Sequence, residues 1–156
     1  MIVRKIKEQD IESVSSLMAR NFDEIMSRYH SKNIIEKFKS HNTPENVRTQ
    51  MYWKEIFVVE EDNEIIATGA LANFGDVENP KYSVSNFFVK PELHNRGIGK
   101  LLFHKILETA KGKGVDLLHV PSSRNAIAFY EKMKFVQDEN QNDTEDEITW
   151  MTMKVK

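Results

Sequence analysis

Two glycines between an apolar segment and an amphipathic segment form the clearest chemical pattern in this sequence. Residues Ser83–Val89 are short, apolar and rich in β-branched and aromatic types, which indicates a buried strand. Gly97 and Gly99 follow, and the run Lys100–Thr109 predicts an amphipathic helix. The first amides of a helix lack intrahelical partners and carry partial positive charge, so they bind phosphate readily. A glycine also lets an anion approach the main chain closely.

The spacing around these glycines excludes two common phosphate-binding motifs. A dinucleotide-binding turn requires a third glycine three residues after the second, where this chain has Leu102. An ATP-binding phosphate loop requires Ser or Thr directly after Gly-Lys, where this chain has Leu101. Arg96 and Lys100 flank the turn and could add positive charge. The pattern therefore predicts a phosphate site of another class.

The stretch from Val89 to Leu102 reads V-x-P-x-L-x-x-R-G-I-G-K-x-L. It resembles the acetyl-CoA pyrophosphate loop of the GCN5-related N-acetyltransferase (GNAT) family. That loop has Gln or Arg, two residues, Gly, one residue, then Gly or Ala. His94 stands at the Gln or Arg position, and both glycines fit.

A second stretch, Ser123–Phe135, is similar to the family pattern Asn-x-x-Ala-x-x-Phe-Tyr-Glu-Lys-x-Gly-Phe. Ser123 replaces the Asn, although Asn125 lies close by, and Lys134 replaces the Gly. A lysine in a left-handed helix end costs about 1 kcal/mol. The resemblance covers about residues 55 to 135, and six positions match in place: Ala126, Phe129, Tyr130, Glu131, Lys132 and Phe135.

The resemblance implies acetyl-CoA as co-substrate and assigns the residues that bind it. The main chain of Phe87, Phe88 and Val89 would pair with the pantetheine arm, and one N–H could hold the carbonyl oxygen. Ser123 or Asn125 could bond the arm, or could instead cap the following helix. The pyrophosphate would be held by the N–H groups of His94, Asn95, Arg96, Gly97, Ile98, Gly99 and Lys100.

The resemblance also makes Tyr130 the proton donor to the leaving thiolate. A phenol with a pKa of about 10 keeps its proton at neutral pH, which suits this role. The alternative is that the Tyr130 ring only packs on the sheet. The general base is open, because residues 83–89 include no acidic side chain or histidine. His119, Asp76, Glu78 and a chain of waters are all candidates.

Six carboxylates and no cation lie between residues 138 and 147. The run predicts an acidic loop, Asp138–Glu147, which is either simply solvated or attracts a cationic acceptor to the site. The five histidines show no metal-ligand spacing, so we expect no metal.

The elements expected to position these residues follow the order β, helices, β, β, β, α, β, α, β, β. A strand–helix–strand crossover implies a parallel pair in a mixed sheet. We expect a single α/β domain over residues 1–156, with a mostly antiparallel central sheet and flanking helices, and the resemblance implies splayed central strands. The first helix is expected to run from about 11 to 29, and Pro121 to end the strand 115–120.

Composition limits the function further. The chain has 156 residues, a net charge of −2 and no cysteine, which excludes disulfides and thiol catalysis. We expect no nucleic-acid partner, no membrane span and a cytoplasmic location. A homodimer through the last strand is possible.

These observations favour an N-acetyltransferase that moves acetyl to a primary amine by direct attack in a ternary complex. The acceptor is a small-molecule amine or a peptide or protein amine. The alternatives are a non-catalytic acetyl-CoA sensor and a protein-interaction domain on the same fold.

Overall fold

The computed structural model describes residues 1–155, so Lys156, the last residue of the predicted domain, lies outside them. One seven-stranded sheet has the order β1-β2-β3-β4-β5-β7-β6. Its strands are β1 Ile2–Lys5, β2 Lys54–Glu61, β3 Glu64–Asn73, β4 Tyr82–Val89, β5 Leu117–Ser122, β6 Val136–Asp143 and β7 Ile148–Lys154. The helices are α1 Ile11–Glu24, α2 Lys32–His41, α3 Pro44–Gln50, α4 Ile98–Gly112 and α5 Ile127–Lys132.

The sheet is antiparallel at every pairing except β4 with β5, which is parallel. Within residues 1–155, these two strands share one ladder position, with Ser83 opposite His119. Beyond that position they diverge and leave a gap in the middle of the sheet. The predicted fold class, a mixed and mostly antiparallel sheet with splayed central strands and flanking helices, is confirmed.

Helices cover both faces of the sheet, and each face has its own apolar cluster. On one face α4 buries Leu102 and Ile106 against β2, β3 and β4. On the other face α1 buries Val14 and Met18, together with Val47 of α3. Because the sheet separates the two clusters, the gap between β4 and β5 connects one face of the molecule with the other.

Two element boundaries differ from the sequence-based expectations. Helix α1 ends at Glu24, and a separate short turn, Met26–Arg28, follows it. Pro121 lies inside β5 and does not end it. Proline has no N–H to donate to a neighbouring strand, but β4 has already diverged from β5 at this position.

The predicted acidic loop is wrong over residues 138–143, which belong to the edge strand β6. An edge strand can carry charged side chains because solvent reaches it, so its sequence lacks an apolar alternation. Within residues 1–155, every helix is too short or too polar to cross a lipid bilayer.

Candidate active site

A cavity of about 600 Å³, here called the larger cavity, opens between the end of β4, the start of α4 and α5. It brings together twelve of the thirteen site residues expected from the sequence. Arg96 is the exception, because it is exposed and does not line the cavity. The twelve are Phe87, Phe88, Val89, His94, Asn95, Gly97, Ile98, Gly99, Lys100, Ser123, Asn125 and Tyr130.

The start of α4 forms one end of the larger cavity. Gly97 precedes the helix in a left-handed conformation, with φ of 81°, which glycine adopts without strain. The first amide bonded within the helix is that of Leu101, which donates to the carbonyl of Gly97. The three earlier helical amides, residues 98–100, therefore have no helical partner. A β-carbon on Gly99 would stand 3.1 Å from Cε1 of Phe129, so this turn lies against α5.

His94 supports the end of β4 with its side chain. Its Nε2 lies 2.9 Å from the carbonyl oxygen of Val89. A carbonyl can only accept, so Nε2 carries the proton and donates. The side-chain amide of Asn21 donates to the same oxygen at 3.0 Å. The Val89 carbonyl is thus engaged within the protein.

A bulge in β4 shapes the wall of the cavity. Phe88 is opposite Thr68 and Ser85 is opposite Ala70, so two β4 residues, Asn86 and Phe87, face the single residue Gly69. Asn86 has a positive φ of 51°. The bulge falls beside the gap, where β4 has no partner in β5 among the described residues.

Tyr130 lies on α5 and is only 4% exposed. Its ring contacts those of Phe87, Phe129 and Phe135, at centroid distances of 6.1, 5.2 and 5.5 Å. Burial raises the pKa of the Tyr130 phenol well above its ordinary value. Its hydroxyl forms no hydrogen bond with any of the described residues.

Asn125 carries an unpaired buried atom. Its amide oxygen Oδ1 is inaccessible to solvent and has no hydrogen-bond partner among residues 1–155. An unpaired buried amide oxygen costs free energy unless a ligand supplies a donor. The Ser123 side chain makes no capping bond to the following turn, so the capping alternative receives no support at this residue.

A second cavity of about 180 Å³, the smaller cavity, lies on the α1 and α2 side of the gap. Its described lining contains aromatic, aliphatic, serine and asparagine side chains, with no Asp, Glu, Lys, Arg or His. The two cavities share six lining residues, of which Ser123 and Tyr130 carry a hydroxyl group. The shared residues are Met26, Phe87, Phe88, Ser123, Ala126 and Tyr130.

Comparison with known families decides the family of this chain. The model of the acetyltransferase (GNAT) domain matches residues 18–156. The chain belongs to the GNAT family. The resemblance found in its two sequence motifs is therefore confirmed.

Solved structures of similar fold agree with this assignment. PaiA N-acetyltransferase from Thermoplasma acidophilum, in complex with coenzyme A, is 20% identical over 98% of each chain, with a TM-score of 0.82. A GCN5-related N-acetyltransferase from Rhodopseudomonas palustris is 14% identical over 98% of this chain and 94% of that one, with a TM-score of 0.80. A predicted acetyltransferase with acetyl-CoA from Clostridium acetobutylicum is 20% identical over 91% and 94% of the two chains, with a TM-score of 0.69. At sequence identities of 14–20%, the structural similarity shows that the fold is shared.

In this GNAT domain the buried His30 links the segment before α2 with the β6–β7 turn and with Arg124. His30 has no exposed side-chain surface, and its Nδ1 lies 3.2 Å from Oε1 of Glu147 in the β6–β7 turn. The backbone N–H of Arg124 donates to His30 Nε2 at 3.2 Å, so the neutral ring carries its proton on Nδ1. Burial lowers the pKa of His30, which favours this neutral form. Nearby, Asp146 pairs with Lys37 at 2.6 Å.

The three side chains named from the sequence as candidate bases line neither cavity of the GNAT domain. Nδ1 of His119 lies 3.3 Å from the amide nitrogen of Gln141, and His119 lines neither cavity. Asp76 accepts a hydrogen bond from the N–H of Asn79, and Glu78 is exposed in the same loop.

Sequence reasoning missed one half-buried lysine beside the smaller cavity. Nζ of Lys54 donates to Oγ of Ser85 at 3.0 Å, and Ser85 lines that cavity. The Ser85 hydroxyl lies 3.2 Å from Oδ1 of Asn86, whose amide donates to Gln50. No sequence signal identifies Lys54, because its burial depends on strands that meet only in the folded chain.

Proposed function

We propose that this GNAT domain is an acetyl-CoA-dependent N-acetyltransferase that acts by direct attack of a primary amine in a ternary complex. The observation that carries the proposal is that the two cavities meet at Tyr130. A thioester reaching the gap from one side and an amine reaching it from the other would come into contact there. The bound molecules named for two of the similar structures, coenzyme A and acetyl-CoA, support the choice of co-substrate.

The start of α4 fits a pyrophosphate. The free amides of residues 98–100 point out of a helix N-terminus, where partial positive charge favours anions. Lys100 lines the same cavity and adds a full positive charge. Arg96, which is exposed outside the cavity, would contribute only long-range attraction.

The gap beside β4 fits the pantetheine arm. Main-chain groups of Phe87 and Phe88 border the gap, where β4 has lost its pairing with β5. The carbonyl of Val89 already accepts from His94 and Asn21, so we assign the pairing mainly to the two phenylalanines. The unpaired Oδ1 of Asn125 would accept an N–H of the arm.

The bound thioester supplies an activated acetyl group and a thiolate leaving group. A main-chain N–H of the β4 bulge would stabilise the negative charge that develops on the carbonyl oxygen. Tyr130 would donate its proton to the departing sulfur. Because burial raises the pKa of Tyr130, the phenol is protonated at neutral pH and holds a proton where the thiolate would form.

The smaller cavity favours a small amine acceptor with an apolar body. Its described lining carries no carboxylate that would bind a second cationic group, and Phe22, Phe38 and Ile148 supply apolar surface. Two carboxylates of the acidic run are already paired, Asp146 with Lys37 and Glu147 with His30. We therefore assign lower affinity to polyamines and lysine-rich peptides than to monoamines with an aromatic or branched aliphatic group.

An acceptor screen tests this function. Coenzyme A release is measured with acetyl-CoA and a panel of monoamines, polyamines and peptides, and the acetylated product is identified by mass spectrometry. We expect release with apolar monoamines. A sensor would bind acetyl-CoA and release no thiol with any amine, whereas an interaction domain would gain no thermal stability from acetyl-CoA. Either result contradicts the proposal.

A further inference from the structure

We propose that Lys54 accepts the proton of the acceptor amine through the hydroxyl group of Ser85. The inference rests on the proposed acetyl transfer and assigns the general base of that reaction, which none of the side chains discussed so far provides. An alkylamine is largely protonated at neutral pH, and its nitrogen cannot attack until one proton leaves. Within the described lining of the smaller cavity, no carboxylate or imidazole is present to take that proton.

The Lys54 side chain reaches the cavity wall across β3. Lys54 is paired with Ala72, and Ser85 is paired with Ala70, two residues along the same strand and on the same face. Both alanines are buried and small, so the lysine chain can cross above them. Its Nζ then meets Oγ of Ser85 at 3.0 Å. Ser85 is thus the link between the lysine and the space assigned to the acceptor.

The surroundings of Lys54 disfavour its charged form. Nζ lies 4.9 Å from the ring centroid of Trp53 and 5.4 Å from that of Phe74, and the attraction of these ring faces offsets part of the cost of removing the ammonium from water. None of the described carboxylates forms an ion pair with it. Glu55, the next residue, points to the opposite face of β2, where it pairs with Lys5 and Lys113. The groups that contact Lys54 from β3, β4 and the loop after β3 are uncharged.

Desolvation accordingly lowers the pKa of Lys54 to about 8. A lysine with this pKa is neutral in a useful fraction of molecules near neutral pH and can accept a proton. Lys54 also lines an open groove with Tyr52 and Trp53, and Ser85 is not among the residues of that groove. The groove gives the proton a path from Nζ to solvent after each turnover.

The proton transfer balances without any further reactant. An N–H bond of the acceptor ammonium breaks, and its proton binds Oγ of Ser85. Once Lys54 is neutral, the Ser85 hydroxyl turns from Oδ1 of Asn86 toward Nζ, and its proton moves to the lone pair of Lys54 at the same time. The acceptor becomes a neutral amine, Ser85 is unchanged, and Lys54 becomes an ammonium that later loses a proton to water. The amine lone pair then attacks the thioester carbon.

The test is the pH dependence of kcat with two acceptors, 2-phenylethylamine and phenylalaninamide, at saturating acetyl-CoA and acceptor. Their amines have pKa values of about 10 and about 8 respectively. In the wild-type protein, kcat should rise with pH through about 8 for both acceptors, because the titrating group belongs to the protein. A rise that follows the pKa of each acceptor would overturn the proposal.

Three variants separate proton acceptance from a structural role. Lys54→Met and Ser85→Ala should each lower kcat at pH 7.5 by about 100-fold. In both variants the rise of kcat with pH near 8 should disappear. Lys54→Arg should lose as much, because a guanidinium keeps the positive charge and hydrogen bonding but stays protonated. The control is Lys5→Met, on the exposed surface of β1, which should retain kcat.

Each outcome bears on one of the two proposals. Wild-type kcat and an unchanged pH limb in Lys54→Met would overturn the base assignment while leaving acetyl transfer intact. An arginine variant with full activity would do the same. If Lys54→Met fails to fold, Ser85→Ala decides the question alone. Wild-type protein that releases no coenzyme A with either amine would overturn both proposals.

Discussion

Phe87 lies over Gly69 on the neighbouring strand, and a β-carbon on Gly69 would stand 2.8 Å from Cδ2 of Phe87. The contact arises because the β4 bulge places two residues opposite this one glycine. The Phe87 ring in turn contacts Phe129 and Tyr130, at centroid distances of 5.5 and 6.1 Å. Because Gly69 has no side chain, it leaves the space that the Phe87 ring occupies in the wall shared by both cavities.

Gly69→Ala should disturb this wall. The added methyl group forces the Phe87 ring to move, and overpacking of this kind costs about 1–3 kcal/mol of the free energy of unfolding. Coenzyme A affinity should fall as well, because the ring borders the gap. Urea unfolding and calorimetric titration measure the two effects.

Gly112→Ala is the matched control for this substitution. It lies at the end of α4, with no atom within 4 Å of an added β-carbon. Alanine favours a helix over glycine, so the variant should gain up to about 1 kcal/mol. Equal effects of the two substitutions would refute the role given to the Gly69–Phe87 contact.

Tyr130→Phe should abolish most turnover without weakening coenzyme A binding. The phenol hydroxyl makes no hydrogen bond with the described residues, so its removal leaves no protein group unpaired. The free energy of unfolding should change by less than about 1 kcal/mol. Steady-state kinetics and calorimetry measure the two properties separately. Unchanged turnover would show that another group protonates the thiolate.

Lys54→Met should stabilise the protein at neutral pH. Burial lowers the pKa of Lys54 from 10.5 to about 8, so below pH 8 the folded state carries the full penalty of its charge. At 1.36 kcal/mol per pKa unit, the gain is up to about 3 kcal/mol. Between pH 8 and 10.5 the unfolded state binds more protons, so wild-type stability rises with pH and the gain shrinks. A gain independent of pH would contradict this cause.

Stability should also depend on His30 at mildly acidic pH. Burial lowers the pKa of His30, so its contribution is fully present above 6.5 and is lost progressively as the pH falls toward the lowered pKa. Protonation of Nε2 would also break the bond from the Arg124 amide. Thermal unfolding between pH 5 and 7.5 should show a steeper decline for wild type than for His30→Gln.

His41→Gln, on the exposed surface of α2, is the control for this pH dependence. Its unfolding profile should follow that of the wild type. If His30→Gln also follows the wild-type profile, the decline at low pH has another origin.

The sequence was most informative where a local motif determines the backbone. Lys134 occupies the family's glycine position and adopts the left-handed φ of 80° that the motif requires. Gly97, at φ of 81°, likewise lies where the strand–turn–helix order predicts the turn. Local geometry of this kind follows from residue type and spacing.

The parts of the site that depend on distant segments could not be predicted. Lys54 becomes a candidate base because Ala70 and Ala72 of β3 give it a path to Ser85. Glu147 meets His30 across 117 residues of chain. Neither contact leaves a periodic pattern. The predicted homodimer and cytoplasmic location stay predictions.

The central claim is that the free amides at the start of α4 and the gap beside β4 bind acetyl-CoA. Isothermal titration calorimetry with coenzyme A tests it most directly, on the wild type and on Gly99→Val, whose side chain would collide with Phe129. We predict saturable binding to the wild type and a large loss of affinity in the variant. Wild-type protein that gives no binding heat at millimolar coenzyme A would contradict the account.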